Sequence, residues 1–151
     1  MSRNYLLVGI CWKSIKVRDL GSIMVRGLRL FVRPIEAADR PVLQAFFSQQ
    51  RGTADQRPPA PAWGLLGKLL GDVVAVVSLE ITDDALRVED LTVSRELRRK
   101  WIGRVMMREV EQLAVKMDRR RIVVEDAGDA HEFFRRVGFQ SEGERWVRVV
   151  P

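Results

Sequence analysis

The sequence predicts an α+β fold in which one mixed sheet of about seven strands carries helices on both faces. Strand-like and helix-like runs alternate along the chain. The run 73–82 is apolar and rich in valine, as is typical of a strand buried on both faces. After Gly103, apolar residues recur at the spacing of an amphipathic helix. The 151 residues are enough for one domain with its own hydrophobic core.

The first half of the chain predicts four strands and one helix. Asp39 is expected to cap the helix, and Pro41 lies in its first turn, where a missing N–H is harmless. The segment 51–62 holds three prolines and is a loop, either a substrate lid or a surface connection. The predicted strands are 28–35, 63–70, 73–82 and 86–93, with turns at Gly71-Asp72 and Asp83-Asp84.

The second half predicts two further helices and three short strands. The helix after Gly103 buries a stripe of apolar residues, and a strand follows at 121–125. Asp129 and Glu132 have the spacing of a capping box at the start of the last helix, which Gly138 ends. Strands at 139–141 and 145–150 complete the sheet. The apolar stripe consists of Met106, Val110, Leu113 and Met117.

Composition limits the classes of function. At 46% hydrophobic and 30% charged residues, the chain resembles an ordinary soluble protein, and no apolar run is long enough to span a membrane. The lone cysteine, Cys11, cannot form an internal disulfide, which favours the cytoplasm. No cysteine–histidine cluster indicates a metal. Four of the six net positive charges lie before residue 29, so the basic character is a weak argument for nucleic acid.

Residues 1–27 are interpreted as an N-terminal extension of uncertain status, and 28–151 as the domain. The extension has an apolar run too short and too poorly flanked for a signal peptide. Met24 stands just before the first clear strand and is an alternative start. A chain starting there is expected to fold with an unchanged melting temperature.

The segment 98–104 carries the strongest chemical signal. It connects a strand that ends at Val93 to the strong helix that opens near Gly103. Free N–H groups and the positive end of a helix dipole attract anions there. Basic side chains add full charges. The segment either binds a phosphate or pyrophosphate or is a solvated basic turn; its basic residues are Arg98, Arg99, Lys100 and Arg104.

Two motifs resemble the signatures of the GNAT acetyltransferases. Arg98-x-x-Trp101-x-Gly103 is similar to their Q/R-x-x-G-x-G/A motif between a strand and a helix. The stretch from Ala130 to Phe139 resembles their A-x-x-F-Y-x-x-x-G-F motif on a later helix. The order of elements from Leu28 to Val150 also resembles that family, whose fold is the sheet predicted above.

The resemblance implies acetyl-CoA as cosubstrate, held where two neighbouring parallel strands splay apart. Its pantetheine arm would pair with the backbone of Leu91, Thr92 and Val93, and the amide of Val93 would polarise the thioester carbonyl. An acceptor amine would attack directly, without a covalent enzyme intermediate. The loop that would hold the pyrophosphate consists of Arg98, Arg99, Lys100, Trp101, Ile102, Gly103 and Arg104.

This chain departs from the family pattern at two positions. Trp101 replaces a glycine that lets the backbone approach the pyrophosphate, and its indole either points outward or narrows the site. Phe134 stands where the family often has a tyrosine that protonates the departing thiolate. These departures keep open the alternative of a catalytically weak or inactive module that binds an acyl-CoA or a partner.

Two carboxylates are candidates for the general base that the acceptor amine requires. Simple alternation places Glu89 on the same strand face as Leu91 and Val93, with Val88, Asp90 and Thr92 on the other. Glu125 ends the next strand. The function predicted is N-acetyl transfer from acetyl-CoA to a primary amine of a small molecule or protein. The sequence does not identify the acceptor, and it leaves a homodimer open.

Overall fold

The computed structural model describes residues 22–25, 28–51, 63–97, 101–125 and 127–151. The strands are β1 Ser22–Val25, β2 Leu28–Pro34, β3 Gly64–Leu69, β4 Asp72–Ile81, β5 Ala85–Val93, β6 Arg121–Val124, β7 Gln140–Glu142 and β8 Arg145–Val149. The helices are α1 Arg40–Arg51, α2 Ile102–Lys116 and α3 His131–Arg136. None of these helices is long and apolar enough to cross a membrane.

One mixed sheet holds all the described strands, in the order β1-β2-β3-β4-β5-β6-β8-β7. The strands β2 to β8 are the predicted seven. The eighth, β1, pairs antiparallel with β2 and lies inside the segment 1–27 that the sequence assigned to an extension. The β5–β6 pair is parallel, and every other pair is antiparallel. The mixed sheet with helices on both faces is confirmed.

The two faces of the sheet bury separate hydrophobic clusters. On one face, α1 packs Leu43, Phe46 and Phe47 against β3 and β4. On the other face, α2 and α3 pack against the centre of the sheet, and every residue of the predicted α2 stripe is less than 1% exposed. Burial of side chains of this size stabilises the fold by about 1.5–3 kcal/mol each. The smaller cluster consists of Ile35, Leu43, Phe46, Phe47, Leu66 and Val76.

The sequence predicted that Asp39 caps α1, but Asp39 does not cap this helix. A short 3-10 turn, Ala37–Asp39, precedes the helix, and Asp39 is its last residue. Its carboxylate accepts a hydrogen bond from the backbone N–H of Glu36 at 2.8 Å and two from the guanidinium of Arg33 at 2.6 and 2.7 Å. The hydrogen bonds from Arg33 hold the pKa of Asp39 below its usual range. Asp39 therefore ties the end of β2 to the start of α1.

The predicted capping box at Asp129 and Glu132 is also wrong. Asp129 lies within a 3-10 turn, Gly128–Ala130, and no side chain caps the start of α3. Glu132 pairs instead with Arg135 one turn further on. In the β3–β4 hairpin the turn is Leu70-Gly71, one residue earlier than predicted, and both residues have positive φ. These errors move boundaries without changing the order of elements.

A β-bulge interrupts the alternation along β5. Ser78 of β4 pairs with Asp90, but the next β4 residue, Leu79, pairs with Val88, so Glu89 is the extra residue. The bulge shifts the side-chain pattern by one position. The α2 face of the sheet therefore receives Val88 as well as Leu91 and Val93, contrary to the predicted alternation.

Candidate active site

The parallel strands β5 and β6 separate before β5 ends. Their pairing runs from Ala85↔Arg121 to Val88↔Val124, where β6 ends. The strand β5 continues to Val93 while still pairing with β4. An opening between the two strands thus begins at the bulge. The prediction that these strands are adjacent and parallel is confirmed in the described part of the chain, whereas their splaying stays a prediction, because β6 is paired over its whole length, Arg121–Val124.

A cavity of about 950 Å³ borders this opening, and we call it the main cavity. The end of β5, the start of α2 and the helix α3 with its preceding turn form its walls. This volume is at the upper end of the range found for small-molecule sites. The lining residues are Leu91, Val93, Trp101, Gly103, Arg104, Asp129, Ala130, Glu132, Phe133 and Arg136.

The first turn of α2 supplies backbone donors to this cavity. The helix begins at Ile102, and its first described intrahelical bond runs from the N–H of Val105 to the carbonyl of Trp101 at 3.0 Å. In an α-helix the preceding N–H groups lack an intrahelical acceptor. No side chain caps this helix start. The amides of Ile102, Gly103 and Arg104 are therefore suited to an anion.

Gly103 brings α2 close to α3. A Cβ atom at this position would lie 3.2 Å from the ring of Phe133 and 3.9 Å from Val93. The missing side chain thus keeps the end of β5, the start of α2 and the start of α3 together around the main cavity. Gly103 serves helix packing as well as access to the backbone, which sequence analysis did not foresee.

Trp101 takes up a left-handed backbone conformation, with φ of 73°. Its side chain is 64% exposed, so the indole points outward, one of the two alternatives left open by the sequence. It still lines the edge of the main cavity, where the guanidinium of Arg104 lies 4.4 Å from the centre of the ring. The backbone at Trp101 thus adopts a conformation that favours glycine, although the residue carries a large side chain.

The structure places the predicted binding residues unequally. Leu91, Val93 and Arg104 line the main cavity, while Thr92 is buried and bonds to Asp90. Ile102 is buried in the core, so its side chain does not line the site. The predicted anion-binding residues Arg98, Arg99 and Lys100 lie outside the described residues.

The wall formed by α3 includes side chains that sequence analysis missed. Glu132 and Arg136 line the main cavity together with Asp129. The hydrogen bond from Arg135 holds the pKa of Glu132 below its usual range. Glu132 also lies 3.8 Å from Arg136. The motif running from Ala130 to Phe139 marked this helix but not which of its residues face the cavity.

Phe134 belongs to the core. It is 4% exposed and packs edge-to-face against Phe133 and Phe139. Of these rings, only Phe133 lines the main cavity. Phe134 therefore supports the packing of α3 and brings no proton donor to the site.

The two candidate bases stand at the point where the strands part. Glu89 follows Val88, the last β5 residue paired with β6, and Glu125 follows Val124, its partner. The parallel register therefore brings the two carboxylates to the same level of the sheet. Both residues are exposed, and neither is among the residues that line the main cavity.

The described residues contain no group of three or more histidine, cysteine or acidic side chains arranged to hold a metal.

Residues 29–139 match the model of the acetyltransferase (GNAT) family. This match covers well over half of the chain. The chain belongs to the acetyltransferase (GNAT) family. No curated protein matches the chain.

Solved structures agree with this family at the level of the fold. The GNAT domain of S. lividans PAT is 15% identical, with a TM-score of 0.75, and the match covers 89% of this chain and 99% of that one. The ribosomal-protein-S18-alanine N-acetyltransferase from Escherichia coli is 9% identical, with a TM-score of 0.65, covering 80% and 94%.

A third similar structure contains a ligand. It is N-acetylglutamate synthase from Neisseria gonorrhoeae complexed with coenzyme A and N-acetyl-glutamate. It is 16% identical, with a TM-score of 0.64, and the match covers 81% of this chain and 35% of that one. At such identities, these likenesses show that this GNAT-family chain shares a fold with them.

Proposed function

We propose that this GNAT-family protein is an N-acetyltransferase that transfers an acetyl group from acetyl-CoA to a primary amine of a small molecule or protein, by direct attack in a ternary complex. One observation carries the proposal. The opening between β5 and β6 meets a cavity of about 950 Å³ whose opposite wall is the uncapped start of α2. A long ligand that is apolar at one end and anionic at the other fits this arrangement.

The backbone and charges around the opening would hold acetyl-CoA. Leu91, Thr92 and Val93 would pair with the pantetheine arm, and the amide of Val93 would polarise the thioester carbonyl. The amides of the segment 98–104 would bind the pyrophosphate, with Arg104 adding charge at the cavity wall. The roles proposed for Arg98, Arg99 and Lys100 rest on sequence alone.

The acceptor amine must lose a proton before it attacks, since the ordinary pKa of an alkylamine is about 10. Glu89 and Glu125 are the proposed bases, because both follow the last paired residues of the splayed strands. Each could act directly or through one water. Replacing each glutamate by glutamine in turn, and comparing the acid limb of the pH–rate profile, identifies which one accepts the proton.

The departing thiolate would leave without a proton from Phe134, which is buried in the core. A free thiol has a pKa of about 8.5, so a thiolate is a tolerable leaving group near neutral pH. The same observation favours the second candidate, a weak or inactive module that binds an acyl-CoA. Binding and turnover must therefore be measured separately.

A cytoplasmic location is also part of this proposal. The lone Cys11 supports a reducing, cytoplasmic location. A homodimer and the identity of the acceptor amine are left open by the geometry of one chain.

The decisive experiment is calorimetric titration of the protein with acetyl-CoA, followed by an assay of free thiol release with a panel of amines. The purified chain should bind acetyl-CoA and release thiol with at least one amine. Gly103→Glu should abolish binding, since it places bulk and negative charge where the phosphates would lie. Thermal melting checks that this variant still folds, because its Cβ also presses on Phe133.

Ala45→Glu is the matched control, because it adds the same charge on the exposed side of α1, on the opposite face of the sheet. It should bind acetyl-CoA like the unaltered protein. Heat on binding without thiol release from any amine would support the binding module instead. Absence of binding at millimolar acetyl-CoA would overturn both functions.

A further inference from the structure

A second cavity, of about 280 Å³, adjoins the main cavity and is dominated by arginine; we call it the arginine cavity. Arg104 and Arg136 line both cavities, so one extended ligand can occupy the two together. The arginine cavity lies between α2 and the segment from α3 to β8. Its lining residues are Arg104, Met107, Arg108, Glu111, Arg136, Val137, Gly138, Phe139 and Arg148.

Charge is distributed unevenly between the two cavities. The main cavity has two arginines and two carboxylates on its wall, whereas the arginine cavity has four arginines and only Glu111. Glu111 is taken by Arg148, at 2.9 Å, and Arg148 also donates a hydrogen bond to the carbonyl of Val137. The opposite charges of Glu111 and Arg148 therefore cancel each other. Three positive charges are left at the end of the site away from the β5–β6 opening.

These three arginines line the same cavity. Arg104 and Arg108 are four residues apart on α2 and thus project from one helix face, about 6 Å apart. Within the described residues neither forms an ion pair. Arg136 lies at the end of α3, where its Nε is 3.8 Å from Oε1 of Glu132 and its side chain is 71% exposed.

We propose that Arg104, Arg108 and Arg136 bind the 3′-phosphate of the coenzyme A nucleotide and so make the enzyme selective for CoA over dephospho-CoA. The proposal rests on the proposed function. A phosphate monoester carries nearly two negative charges at neutral pH, and guanidinium groups bind it with charge-assisted hydrogen bonds. The start of α2 would hold the pyrophosphate, and the arginine cavity the one phosphate that remains.

Calorimetry with CoA and with dephospho-CoA, which lacks only the 3′-phosphate, tests this assignment. The unaltered protein should bind CoA about tenfold more tightly or better, the gain expected from charge-assisted bonds to one phosphate. Arg108→Gln and Arg136→Gln should each reduce that ratio, and the double variant should bring it close to one. The preference should also shrink as salt rises.

Arg40→Gln is the matched control, because it removes the same charge at the exposed start of α1, on the opposite face of the sheet. It should keep the full preference for CoA. Equal binding of CoA and dephospho-CoA by the unaltered protein would overturn the assignment while leaving the proposed function intact. A preference that survives in the double variant would overturn it too. Failure of both ligands to bind would remove the proposed function and the phosphate site together.

Discussion

Trp101 has a left-handed backbone conformation, which is energetically unfavourable for residues that carry a Cβ atom. The left-handed region brings Cβ close to the following carbonyl oxygen, at about 1–2 kcal/mol, and glycine alone avoids this contact. Contact with the Arg104 guanidinium, 4.4 Å from the ring centre, offsets part of the cost. The left-handed turn at position 101 is thus held together with a contact between the indole and Arg104.

Replacing Trp101 by glycine and by alanine separates the backbone from the side chain. Both variants lose the indole, but only Trp101→Ala retains the strained backbone with a Cβ. Trp101→Gly should be more stable than Trp101→Ala by about 1 kcal/mol in urea unfolding. It should also bind acetyl-CoA as well as the unaltered protein or more tightly, since the α2 amides are kept. Equal stability of the two variants would show that position 101 carries no backbone strain.

At the level of single residues, sequence predicted the buried stripes and the family-like glycine. It could not place Glu89, because the bulge depends on how β5 pairs with β4, through the pairs Leu79↔Val88 and Ser78↔Asp90. It missed Arg136 for a similar reason, since only the packing of α3 beside α2 turns that side chain toward the cavity. Local patterns specify which face of an element is buried, and long-range pairing decides what the other face meets.

Among the elements, α2 combines a proposed anion site at its start with a buried acidic residue in its middle. Glu109 is 1% exposed, and its Oε2 is buried without a hydrogen-bond partner among the described residues. Burial raises the pKa of Glu109 to about 7, against the opposing charges of Lys116 and Arg108. The folded helix therefore holds a proton that the unfolded chain releases near pH 4.5, the ordinary value.

This raised pKa predicts how stability varies with pH. Between about pH 4.5 and 7 the folded state binds one more proton than the unfolded state, so stability is highest at the acid end and falls as pH rises through 7. Urea unfolding should show a contribution from Glu109 of about 2 kcal/mol lost between pH 5 and pH 8. Glu109→Gln should remove this loss, whereas Glu144→Gln in the exposed β7–β8 turn should keep it. An unchanged slope in Glu109→Gln would show that Glu109 is not the group that titrates.

The order of elements was predictable, but the starts of helices were not. The stripe of α2 and the valine-rich β4 have periods long enough to be recognised alone. The predicted caps at Asp39 and Asp129 failed because a 3-10 turn precedes α1 and α3 and shifts the helix start. At Asp39 the carboxylate is used by Arg33 from β2, a tertiary contact that outweighs local capping.

Across the whole molecule, the sheet separates the site from the edge where β1 lies. The order β1-β2-β3-β4-β5 puts three strands between β1 and the strand that borders the main cavity. The match to the acetyltransferase (GNAT) family begins at residue 29, just after β1. We therefore expect the edge strand to affect stability without affecting the site.

Three truncated chains test this separation and the status of the extension; those beginning at Ser22 and Leu28 carry an added initiating methionine. A chain that begins at Ser22 keeps β1 and should unfold with the same free energy as the full chain, within about 0.5 kcal/mol. A chain that begins at Leu28 loses the four residues paired with β2 and should be destabilised by about 1–3 kcal/mol, as expected for a few lost ladder bonds.

A cut at Met24 falls inside β1 and should give an intermediate loss of stability, which revises the unchanged melting temperature expected from sequence. All three truncated chains should bind acetyl-CoA like the full chain, because β5 and β6 are intact. A large loss of stability in the chain from Ser22 would make residues 1–21 part of the domain, and no loss in the chain from Leu28 would make residue 28 its boundary, as the sequence suggested.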